Sequence, residues 1–185
     1  IRAALSARLR FHARQRQPGL GRQPLELDGA DGLAVEGDAT DEATLRRTLD
    51  LTVECFGGLD VLVVNLGFFA AGEEIQNLPD GLWRRAFEVN VEANFRLLRA
   101  AAPLLSLAPF GASVVVIGSR NVLAPGPAAA AYSASKAALV QLARVAALEL
   151  APRGVRVNIL HPDAVFDTDL WTPEMLEQRA ARYGL

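Results

Sequence analysis

The stretch Asp60-Val61-Leu62-Val63-Val64-Asn65-Leu66-Gly67 decides the fold. Its run of consecutive aliphatic residues shows no alternation, is too short for a helix and is mostly β-branched. It therefore reads as a strand buried on both faces of a parallel sheet. Asn65 and Gly67 then turn the chain at the strand's carboxyl end. Working outward, Ser113 to Ile117 and Gly154 to Leu160 repeat the pattern. Residues 80–108 read as one long helical region, and an alanine-rich helix spans about 129 to 151, after the Pro/Gly loop Ala124 to Pro127. Upstream, Thr40 or Asp41 caps a helix running to about Phe56, with Leu45, Leu49, Val53 and Phe56 on one stripe. Leu33-Ala34-Val35-Glu36 reads as a further short strand, and a helix restarts after Pro173. Strands alternating with helices of this length require right-handed crossovers. The fold class is therefore α/β, with a doubly wound, mostly parallel Rossmann-like sheet. Such sheets bind ligands beyond the carboxyl ends of their strands.

Composition narrows the function. A chain of 185 residues that is 51% hydrophobic and 22% charged can bury a core and is not disordered. A formal charge of −2 gives no electrostatic case for nucleic acid. No apolar run approaches the roughly 20 residues that a membrane helix needs. Cys55 is the only cysteine, and no Cys/His cluster suggests a metal. A cytoplasmic protein with no membrane or nucleic-acid partner is expected.

Of the 19 basic residues, all but Lys136 are arginine. A compact ammonium on a flexible stem does what a planar guanidinium cannot, so the one lysine invites a specific role. Tyr132 lies one helical turn before it, which puts both side chains on one face. That face opens on the rim where Asn65, Ser119 and His161-Pro162-Asp163 follow their strands. A protonated Lys136 favours the phenolate of Tyr132, and the Ser119 hydroxyl can hold the oxygen that Tyr132 protonates or deprotonates. His161 reads as structural. Asp163, Asp167 and Asp169 match no cation-binding spacing.

Asp38, Asn65-Leu66-Gly67, Asn90, Ser119 and Tyr132-Ser133-Ala134-Ser135-Lys136, in this order, resemble the short-chain dehydrogenase/reductases over about residues 33 to 170. The resemblance implies a serine–tyrosine–lysine mechanism on a nicotinamide cofactor, NAD or NADP, with NAD ahead. It makes Tyr132 the general acid/base and has Ser119 orient the reacting oxygen. Lys136 would bind the nicotinamide ribose hydroxyls, and Asn90 would hold a water linking that lysine to solvent. Asp38 would contact the adenine, and Asn65, Gly67 and Pro162 would shape the backbone beside the cofactor. The implied substrate is a small alcohol or carbonyl compound, and the implied assembly is a homodimer or homotetramer. Helix 129–151, apolar nearly all round, and helix 80–108 are expected to form the interface.

Two departures stand out. First, the family's glycine-rich turn after an opening strand does not occur between Ile1 and Leu33 (a smaller difference is Leu66 where alanine is usual). Residues 1–32 are expected to be an atypical N-terminal segment, with six arginines and no acid in residues 1–24 and a turn at Gln17-Pro18-Gly19-Leu20-Gly21. Residues 33–185 are expected to be a Rossmann-like core, truncated at its start, that binds dinucleotide poorly by itself. A non-catalytic remnant serving association is the rival reading. Second, Pro162-Asp163 replaces the common Pro-Gly. With Ala164-Val165-Phe166, Trp171 and the end from Arg179 to Leu185, it is similar to the dehydrogenase half of bifunctional rhamnulose-phosphate aldolase/short-chain dehydrogenase proteins. That likeness implies a lactaldehyde-sized substrate.

Overall fold

The computed structural model describes residues 23–27, 30–69, 72–163, 173–175, 177 and 181. Strands β3 (Val61–Val64), β4 (Ala112–Ile117) and β5 (Val155–Leu160) form a parallel sheet in sequence order. In register, Leu62 faces Val114 and Val64 faces Val116, while Val114 faces Val157 and Val116 faces Ile159. Helix α1 (Glu42–Phe56) precedes β3, α2 (Asp80–Phe87) and α3 (Asn94–Leu105) link β3 to β4, and α4 (Ala130–Leu150) links β4 to β5. The helices adjoin one another in the order α1, α3, α4 and share one core with the sheet. Helices, a parallel sheet and crossovers of this kind make a Rossmann-like α/β fold. Among the described residues, no helix is long and apolar enough to cross a membrane.

Local chemistry explains the boundaries. Asp41, in extended conformation, caps α1 by accepting from the amides of Ala43 and Thr44, and Gly57 ends the helix in the left-handed region at φ 82°. The Asp41 carboxyl is held below its ordinary value, first by the Thr44 hydroxyl and then by the Thr44 amide. On the expected stripe Leu45 and Leu49 are buried, joined by Thr48 and Thr52, whose hydroxyls donate to the carbonyls of Thr44 and Thr48. Residues 173–175, 177 and 181 are helical, as expected after Pro173.

Three expectations need correction. The strand at residues 33–36 is instead β2 (Ala30–Ala34), paired antiparallel with β1 (Gln23–Leu27) in a separate two-stranded sheet. Asp28-Gly29 between them is the dipeptide that two-residue hairpin turns favour, a signal stronger than the short apolar run that was read. Next, β3 is not buried on both faces. Leu62 and Val64 are sealed, whereas Val61 is 39% and Val63 41% exposed, because the described helices cover one face only. Last, the helical region after residue 80 is not uniform and ends at Leu105. A π-helical turn, Glu88–Ala93, separates α2 from α3. Residues 1–22, with the Gln17–Gly21 turn, and residues 164–172, with Asp167, Asp169 and Trp171, lie outside the described residues.

Candidate active site

The π-helical turn builds the first half of the site. A widened turn releases main-chain carbonyls from the regular ladder, and Asn90 within it and Asn94 directly after it are both fully buried. The Asn94 amide donates to the carbonyls of Val89 (3.1 Å) and Asn90 (2.9 Å), and to that of Leu66 (3.1 Å) in the loop after β3. Asn90 holds the same loop: its Oδ1 accepts the Phe68 amide at 2.6 Å and its Nδ2 donates to the Phe68 carbonyl at 2.9 Å. That Nδ2 also donates to Ser135 Oγ (2.8 Å), whose hydroxyl donates to the Tyr132 carbonyl (2.8 Å). Asn90 thus ties the β3 loop to the start of α4. Its side chain satisfies main chain, but that of the loop after β3 rather than that of its own helix.

Helix α4 builds the second half. Lys136 is 4% exposed and donates from Nζ to the carbonyl of Ile117, the last residue of β4, at 2.9 Å. Burial pushes its pKa down to about 8, since the interior disfavours the charged form. A methyl group placed on Gly67 would lie 3.6 Å from Lys136 Nζ and 3.9 Å from Asn90 Oδ1. The glycine therefore leaves a methyl-sized space open before the ammonium, and one Ile117 carbonyl leaves further N–H donors for a ligand in it. Ser119, two residues beyond Ile117, is buried, and its Oγ accepts the Asn121 amide at 3.1 Å, so the hydroxyl proton is available for another acceptor. Tyr132 lies one turn before Lys136, with its ring packed edge-to-face on Phe69 at 4.9 Å. Entry into α4 is strained: Ala128 sits at φ 55° while its carbonyl accepts the Gly72 amide at 3.2 Å.

Gly67, Asn90, Tyr132 and Lys136 are thus brought together at one strand end, with Ser119 on the adjoining loop. Asn65 stands exposed directly after β3. The Pro162 carbonyl accepts the Arg120 amide at 3.0 Å, which joins the loops after β4 and β5. Asp38 belongs to a separate turn before α1, where its Oδ1 accepts from the Thr40 amide and hydroxyl at 2.8 and 2.7 Å. Among the described residues no strand leads into a helix through a glycine-rich turn. Sequence reasoning missed Asn94, the bridging hydroxyl of Ser135 and the Phe69 contact. The first two carried a usable signal, since a polar residue one turn from an expected site residue shares its face.

Known proteins resemble the chain over most of its length. The short chain dehydrogenase family pattern matches residues 7–179. An uncharacterized NAD-dependent oxidoreductase of Mycobacterium tuberculosis is 40% identical over 159 residues, 86% of this chain and 57% of that protein. Trans-4-hydroxycyclohexanecarboxylate dehydrogenase of Sinomonas cyclohexanicum is 36% identical, over 72% of this chain and 50% of that one. The crystal structure of an NAD+-bound xylitol dehydrogenase superposes with a TM-score of 0.69 at 31% identity, over 72% of this chain and 51% of that one. The chain spans about half the length of these relatives.

Proposed function

The chain belongs to the short-chain dehydrogenase/reductase family, and we propose that it transfers hydride between NAD(P), NAD ahead of NADP, and a small alcohol or carbonyl compound. The observation that carries this reading is Lys136. It is the one lysine, buried, one turn after Tyr132, and it faces the space that Gly67 leaves open. A bound nicotinamide supplies the hydride acceptor or donor, and the residues here fit its ribose. Lys136 donates to the ribose hydroxyls, while Gly67 keeps the approach clear. Tyr132 takes the proton from the substrate hydroxyl in oxidation and returns it to the carbonyl oxygen in reduction. Ser119 donates its hydroxyl proton to that same oxygen, a role its bond from Asn121 leaves open. Asn90 fixes the loop beside the cofactor and would hold the water linking Lys136 to solvent. Asn65 and Pro162 flank the cofactor, and Asp38 meets the adenine through its carboxylate.

Residues 33–185 are the catalytic unit in this reading, residues 1–32 stand outside it, and the setting is cytoplasmic. Phe95 on α3, with Val145 and Leu148 on α4, leaves apolar surface exposed where a homodimer or homotetramer would pair those helices. The same patch supports the second reading, an association module without turnover. Calorimetric titration with NAD and NADP, and cofactor reduction with xylitol, 4-hydroxycyclohexanecarboxylate and lactaldehyde, separate the two. NAD binding with turnover of any of these supports the enzyme. Neither binding nor turnover, in this chain or in a longer one that carries a glycine-rich turn, with a dimer by light scattering, leaves the association module.

A further inference from the structure

The loops after β4 and β5 close on each other like a zip, and His161 occupies its centre. The Gly118 amide donates to the Leu160 carbonyl at 2.8 Å, and the Arg120 amide donates to the Pro162 carbonyl at 3.0 Å. Between them His161 Nδ1 lies 2.8 Å from the carbonyl oxygen of Ser119. Beyond them Arg120 Nε faces Asp163 Oδ2 at 3.7 Å. A carbonyl oxygen only accepts, so Nδ1 must carry the proton, which fixes the imidazole tautomer. The ring fits because residue 118 has no side chain. A methyl there would lie 2.9 Å from His161 Nδ1, 3.1 Å from its Cε1 and 3.2 Å from Val140 Cγ2, so ring and valine would both have to give way, the ring most.

We infer that His161 is a positioning residue for Ser119. Its Nδ1–H grips the Ser119 carbonyl, and Gly118 is glycine to admit the ring. The Ser119 main chain is extended, at φ −164° and ψ 152°, so turning its peptide swings the hydroxyl relative to α4. The Asn121 amide fixes Oγ from one side and the imidazole fixes the carbonyl from the other. Together they determine where the hydroxyl proton points. The inference rests on Ser119 orienting the reacting oxygen, as proposed above, yet its structural half can be read without turnover.

The test uses the full chain. In wild type, long-range proton–nitrogen NMR should show His161 protonated at Nδ1. His161→Asn places an amide N–H where Nδ1 stood, whereas His161→Gln places it near Nε2. The Asn121 amide resonance, which reports the Ser119 hydroxyl, should stay near its wild-type position in His161→Asn and move in both His161→Gln and Gly118→Ala. Loss of one neutral hydrogen bond predicts about tenfold lower kcat for His161→Gln with KM little changed, restored to within about threefold by His161→Asn. Thermal midpoints of the two variants should be similar, which separates positioning from folding. A bare Nδ1, an unmoved Asn121 amide in His161→Gln, or equal turnover in the Gln and Asn variants overturns the inference. If the wild type turns over no alcohol, the proposed function fails instead, and the tautomer and the Asn121 amide still decide the grip.

Discussion

The two faces of the parallel sheet differ as much as two proteins would. On one, Leu62, Val64, Val114 and Val116 are sealed beneath α1, α3 and α4. On the other, Val61, Val63 and Leu160 stand partly open among the described residues, Leu160 at 56%. The sealed side also holds buried polar groups, among them Asn90, Asn94, Ser135 and Lys136. Burying an amide or ammonium costs free energy unless its hydrogen bonds are met, and the covered face supplies partners from the π-helical turn, the β3 loop, α4 and the end of β4, although Asn94 Oδ1 has none among the described residues. The polar groups that hold the site in place gather on this covered face, while Tyr132 stands half-buried at its edge.

The largest effect expected is at that face. Tyr132→Phe removes one hydroxyl and keeps the ring on Phe69, so kcat should fall by roughly 10²–10⁴-fold with the thermal midpoint unchanged. Tyr183→Phe, at the only other tyrosine, is the control. An unaltered pH–rate profile in Tyr132→Phe would assign proton transfer elsewhere. Lys136→Arg should also lose most activity although it keeps the charge, since the wider planar guanidinium cannot take the ribose-binding position without displacing the cofactor. Near-wild-type rates would remove the reason for keeping a lysine.

Stability should divide along the same line, with smaller numbers. Leu62→Ala empties a sealed site and should cost about 2–5 kcal/mol in urea unfolding. Its neighbour Val63→Ala, on the open face, should cost less than about 1 kcal/mol. Equal costs would show that the second face is covered in solution as thoroughly as the first, and would erase the contrast.

Much of this was legible from residue types. Valine-rich runs located β3, β4 and β5, and the spacing of Tyr132 and Lys136 placed both on α4. What escaped was long-range. Nothing local in Glu88-Val89-Asn90-Val91-Glu92-Ala93 marks a π-helical turn, since no glycine or proline interrupts it. The turn goes with the reach of Asn90 and Asn94 to a loop more than twenty residues away. Alternation between faces was hidden for the opposite reason. Valine and isoleucine occupy both sides of β3 and β4, so the sequence looks uniformly buried where the described residues cover one side. His161 was passed over because its partner is a carbonyl, which no side-chain motif records.

A last effect, read as a difference between two pH values, isolates the charge buried on the covered face. Lys136 has a folded pKa of about 8 against an ordinary 10.5, lowered by desolvation. Below pH 8 the ammonium is protonated in folded and unfolded chains alike, and the folded state bears the full cost of burying it. As pH rises from 8 to 10.5 the folded chain releases its proton first, so unfolded chains bind more protons and stability climbs with pH. Between pH 7 and about 9.5 the gain should be about 2 kcal/mol. Other groups titrate in that range, so the quantity to measure is the difference between wild type and Lys136→Met, which has a similar length and no charge. Urea melts of both proteins at the two pH values should show wild type gaining on the variant by that amount. A difference that stays constant would mean that water or a counter-charge reaches the ammonium. The covered face would then be wetter around Lys136 than its hydrogen bond to Ile117 implies.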